Sequence, residues 1–121
     1  MIHAAGLILL LNADNQSLQL YSKDRGSEEI LRIEKSGDFG IDQIAFDGKY
    51  IVYSDCKETQ VFMFDRNNLK LRKLTRKITT QAGLPRLPPA AFLAIQAAEG
   101  DEGAEQLILV SKALQVCSID L

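Results

Sequence analysis

Three observations predict an all-β fold for this sequence, assembled from repeated hairpins. The segments "GLILLLNADNQSLQLYSKD", "KYIVYSDCKETQVFMFDRN" and "QLILVSKALQVCSIDL" match one another. Each is an apolar run, a polar turn and a second run of alternating apolar positions, the pattern of a β-hairpin. Gln16, Gln60 and Gln115 fall at equivalent positions, 44 (60 − 16) and 55 (115 − 60) residues apart, and a period of about 40–45 residues is that of one four-stranded propeller blade.

The remaining strands are placed around the hairpins. "MIHAAGLILLLNAD" has an apolar run of signal-peptide length, but no basic segment precedes it and the same pattern recurs downstream, so it reads as the first hairpin. "EEILRIEK" then serves as the outer strand of the first blade, which lacks an innermost strand. In the second repeat "GIDQIAF" alternates Ile41, Gln43 and Ala45 against Asp42, Ile44 and Phe46 and meets the turn signal Asp47-Gly48. "LKLRKLTRK" follows the hairpin as a solvent-facing outer strand, so this blade has four strands near 41–46, 50–54, 60–65 and 69–76.

"ITTQAGLPRLPPA" carries Pro85, Pro88 and Pro89 and reads as an irregular connection over 78–89 that crosses the rim between blades. "AAFLAIQAA" and the polar "EGDEG" open the third repeat, which lacks its outermost strand. The blade pieces are thus 6–35, 41–77 and 90–121. "YIVYS" and "LILV" are apolar on both faces, as strands sandwiched between neighbouring sheets must be. The expected fold is a partial β-propeller, WD-repeat-like, with about two and a half to three four-stranded antiparallel blades. Since rings need about four to eight blades, it is a piece of a larger propeller.

A chain of 121 residues suffices for one domain, and its 46% apolar and 25% charged composition is that of a folded protein. The formal charge of −2 argues against whole-chain basicity and leaves room for a local basic patch. Cys56 and Cys117 lack metal-ligand spacing, suit a reducing compartment, and neither they nor any other group suggests a metal or cofactor.

Asp42, Asp47 and Asp55 cluster in sequence, yet each falls at a turn or strand end, where aspartate bonds nearby backbone. His3 is the sole histidine and lies in a terminus expected to be poorly ordered, which leaves no catalytic triad. Lys57 beside Cys56 gives that thiol little activation, and Cys117 reads as a small core residue. Glu99, Asp101, Glu102 and Glu105 form an acidic turn without the ligand spacing of a calcium loop. An enzyme with chemistry in a propeller channel would need acidic or histidine side chains on inner strands, and these offer mainly apolar ones.

The tract from 66 to 77 carries Arg66, Lys70, Arg72, Lys73, Arg76 and Lys77 with no acidic residue. On an outer strand it is either a stripe that contacts phosphates or a solvated edge whose charges deter strand pairing. No aromatic residue interleaves to stack on bases.

The third strand of each repeat ends in Leu20-Tyr21, Phe64-Asp65 or Ile119-Asp120, where the WD-repeat family carries Trp-Asp. Only the two aspartates keep the second residue of the motif, and no Gly-His pair opens a blade. Within that family the chain resembles the cirhin proteins, WD-repeat subunits of the small-subunit processome. The likeness runs through "LILLLNADNQSLQLYSK", "EILRIEKSGDFGIDQIAFDGKYIVYSD", "VFMFDRNNLKLRKLTR" and "QLILVSKALQVCSIDL", most of the chain in order, and is strongest at "DGKYIVYSD". The resemblance implies a non-catalytic nucleolar scaffold in ribosome biogenesis and rRNA processing. Its partners would be other processome proteins and pre-ribosomal RNA, with no membrane and no small-molecule substrate. A protein-interaction adaptor acting outside the nucleolus is the alternative.

Overall fold

The computed structural model describes residues 1–26, 28–35, 37–97 and 104–121. Among the described residues eleven strands make three antiparallel sheets. The first contains β1 (Ile2–Ala4), β2 (Leu7–Leu11), β3 (Ser17–Ser22) and β4 (Glu29–Glu34) in that spatial order. The second contains β5 (Gln43–Phe46), β6 (Tyr50–Ser54), β7 (Thr59–Asp65) and β8 (Lys70–Lys73), and the third β9 (Ala90–Ala97), β10 (Glu105–Ser111) and β11 (Val116–Asp120). Each strand pairs with its sequence neighbour, and none of the sheets closes on itself. This is the expected all-β, partial propeller-like architecture.

Strand alternation builds two cores from one central sheet. In β6, Ile51 and Tyr53 face the first sheet and join Leu7, Leu9, Leu18, Leu20, Phe62 and Phe64. The intervening Val52 faces the other way and, with Val61, packs on Leu93, Leu107 and Leu109 of the third sheet. All five residues of β6 are buried, because a strand between two sheets has no solvent face. Among the described residues the third sheet is covered on one face only. In β10 Leu107 and Leu109 are buried while Ile108 and Val110 are half-exposed, and the register Phe92–Val110–Val116 lines up an apolar row on the open side.

Several expectations are corrected. The first blade is complete, because Ala5 (φ 51) and Gly6 (φ 76) form a two-residue turn that returns the chain from β1 into β2. Positive φ at both central positions is the hairpin turn whose twist matches its strands. His3 therefore sits in a paired strand, opposite Ile8, and not in a loose terminus. The outer strand of the second blade starts at Lys70, after Leu69 in the left-handed region, and stops at Lys73.

Residues 75–82 form a helix, α1 (Thr75–Ala82), where a strand end and an irregular connection were expected. Leu74 and Ile78 project inward one turn apart, and Gly83 (φ 69) closes the helix with its N–H on the carbonyls of Thr79 and Thr80. The proline-rich stretch after it, 83–89, is irregular as expected and is anchored to both neighbouring elements. Leu87 is fully buried in the second core. Thr59 Oγ1 donates to Pro88 O at 2.7 Å, and Ala90 N donates to Ser54 Oγ at 2.8 Å.

The sheets also meet through their inner ends, where β1 lies beside β5 and β5 beside β9. Gly48, at φ 100 in the β5–β6 turn, comes so near the β1–β2 turn that a Cβ on it would stand 2.7 Å from Ala5 Cβ. Arg66 Nη1 donates to the carbonyl of Ala5 from the β7–β8 turn. Lys35, just after β4, pairs with Asp55 after β6 at 3.2 Å, with side chains only 5% and 10% exposed.

Candidate functional site

The basic tract is split among three elements. Arg66 lies in the β7–β8 turn, Lys70, Arg72 and Lys73 lie on β8, and Arg76 and Lys77 lie in the first turn of α1. The expectation of one continuous basic strand is thereby corrected, since the chain turns into a helix after Leu74. All six side chains are exposed, and none pairs with a carboxylate among the described residues. Arg66 is held by Ala5, while Lys70, Arg72 and Lys73 lie on the edge strand of the second sheet and Arg76 and Lys77 on the helix that follows it.

Sequence reading missed Arg86. The stretch after α1 folds back, so Arg86 lines a cavity of about 310 Å³ together with Lys73 and Arg76. Glu58, Gln60 and Thr75 line it as well. Thr75 Oγ1 accepts from Val61 N at 2.9 Å, which fixes the start of α1 against β7. No side chain caps the helix, and the N–H groups of Thr75, Arg76 and Lys77 find no acceptor among the described residues. An uncapped helix start carries partial positive charge, and α1 has no acidic residue in its first turn to offset it.

The aspartates behave as turn residues. Asp47 Oδ1 accepts from Lys49 N and Tyr50 N, and Asp55 Oδ1 accepts from Lys57 N and Glu58 N. Burial would raise the Asp55 carboxyl, but the N–H groups of Glu58 and Lys57 and the Lys35 ammonium outweigh it and hold the group low. Asp42 makes an exposed ion pair with Lys112 at 2.8 Å.

One carboxyl pair has no precedent in the sequence reading. Glu105, at the start of β10, approaches Asp47, and its pKa is pushed up to about 7 by a shared hydrogen bond with Asp47, by burial and by the Asp47 charge, against a smaller pull from Lys49. Glu105 Oε2 is buried without a partner when both groups are ionised, so a proton on it supplies the missing donor. The rest of the acidic turn, Glu99, Asp101 and Glu102, lies outside the described residues. Among the described residues no group of three metal-ligating side chains converges, both cysteines are free, and no helix is long and apolar enough to cross a membrane. Compared with family models, curated proteins and solved structures, the chain finds no significant match.

Proposed function

We propose that this chain is a non-catalytic scaffold segment of a WD-repeat propeller that serves the small-subunit processome in the nucleolus. It holds other processome proteins against its open sheet surfaces and pre-ribosomal RNA along its basic edge. The observation that carries this reading is the group of exposed cations Lys70, Arg72, Lys73, Arg76 and Lys77, none of which forms an ion pair with a carboxylate among the described residues. Cations left in this state favour a polyanion, because each phosphate contact releases a condensed counterion. The resemblance of "DGKYIVYSD" to the processome subunits supplies the identity of that polyanion and of the neighbouring propellers.

Crosslinking with mass spectrometry on the tagged protein purified from cells tests the reading. Crosslinks from residues 66–77 and 84–89 to pre-ribosomal RNA and processome proteins are the expected result. Recovery of an unrelated complex without nucleolar partners overturns it.

A further inference from the structure

We infer that the cavity between β8, the start of α1 and the Arg86 loop is a seat for one phosphodiester of an RNA strand, with the adjacent ribose 2′-hydroxyl hydrogen-bonded to Gln60. The inference rests on the RNA-binding reading of the basic edge and adds to it a discrete site and a preference for RNA over DNA.

Three cations reach this cavity from separate elements: Lys73 from the end of β8, Arg76 from α1 and Arg86 from the proline-rich connection. A charge run that merely keeps an edge soluble has no reason to be joined by an arginine from ten residues further along the chain. The uncapped start of α1 adds its unclaimed N–H groups at Thr75 and Arg76, both of which line the cavity. Helix starts of this kind are ready-made anion sites when cations flank them. Glu58 is the single carboxylate in the lining among the described residues, and its Oε1 is engaged, accepting from Gln60 Nε2 at 2.7 Å.

That bond fixes the orientation of the Gln60 amide and leaves the other end unsatisfied. Gln60 is only 9% exposed, and its Oε1 has no partner among the described residues. An unpaired buried acceptor is destabilising, so a ligand that brings a donor along with its negative charge satisfies both needs of the site. Phosphate and 2′-hydroxyl stand side by side in RNA, and DNA lacks the hydroxyl. Among the described residues no aromatic side chain lines the cavity, so the site offers the bases no stacking platform. The exposed cations continue beyond the cavity along β8 to Lys70, which suits a strand bearing several phosphates better than one phosphorylated side chain.

The test is fluorescence anisotropy of the whole chain with labelled 12-nucleotide oligo(U) and oligo(dT), across a salt series, with a phosphoserine peptide as competitor. The expected result is tighter binding of RNA than of DNA. Arg86→Gln, an exposed change, should weaken RNA binding roughly tenfold and reduce the salt slope by about 1. Gln60→Met should remove the preference for RNA while leaving DNA affinity unchanged.

If Arg86→Gln leaves RNA binding intact while Lys70→Gln with Arg72→Gln abolishes it, the cavity proposal falls and the basic edge reading stands. Equal affinity of the wild type for RNA and DNA removes the hydroxyl contact and overturns the proposal. A phosphopeptide that competes only when Arg86 is present assigns the cavity to a protein partner and overturns it too. No binding of either oligonucleotide sinks both this site and the RNA half of the proposed function.

Discussion

Asp55 and Lys35 show how much one side chain can hold in place. The pair is nearly dry, it joins the end of the first blade to the second, and Asp55 also gathers two backbone N–H groups. Asp55→Ala removes the carboxylate of a buried ion pair together with the acceptor of two backbone N–H groups, and should cost about 3–5 kcal/mol in urea unfolding. Because the Asp55 carboxyl is held below its ordinary 3.8, the stability it contributes is present above that value and is lost as pH falls through the folded one. Glu105 works in the opposite sense. Its raised pKa of about 7 means that its contribution is complete below about 4.5 and disappears as pH rises through 7. Thermal melts of the wild type should therefore weaken between pH 5 and 8, and those of Glu105→Gln should not, since the amide donates to Asp47 at any pH.

At the scale of the element, the strands were legible because alternation and turn residues both reported them. Asp47-Gly48 and the two-faced apolar run of β6 point to the same hairpin. Helix α1 was not legible. Thr75, Ile78, Thr79 and Thr80 are β-branched, which favours a strand locally, and no capping residue precedes them. What overrides this is tertiary: Ile78 and Leu87 complete the second core, and Thr75 bonds β7. The sole cue was Gly83 with Pro85 two residues on, a helix-stop pattern. Strand β1 was hidden for a related reason, since Ala5-Gly6 turns the chain without the usual Asn or Asp. Of the candidate site, the charge run could be read along the chain, but the convergence of Arg86 and Gln60 on it depends on the fold-back through α1. Leu87 is the anchor of that fold-back. Leu87→Ala should lower stability by about 2–5 kcal/mol in denaturant titrations and weaken RNA binding at the Arg86 position as well.

For the whole molecule, the decisive fact is that three sheets make two interfaces and leave outer faces open. The open side of the third sheet carries Phe92, 53% exposed, and Val116, 71% exposed, in one register row with Val110. Such a face is complementary to another sheet and is an association risk when bare. Light scattering of the isolated chain should report concentration-dependent self-association, and the double change Phe92→Lys with Val116→Lys should abolish it without lowering the melting temperature by more than a few degrees.

The close approach of Gly48 to Ala5 has a geometric meaning for any assembly in which these sheets continue. Wedge-shaped stones in an arch turn through a larger angle per stone when their narrow edges are thinner. The missing side chain at Gly48 thins the narrow edge here, on the side of β1 and β5. A methyl group at that point would push the inner ends apart, flatten the arc and enlarge the circle the sheets can trace. The smallest residue in the chain thus bears on the curvature of the largest structure it can join.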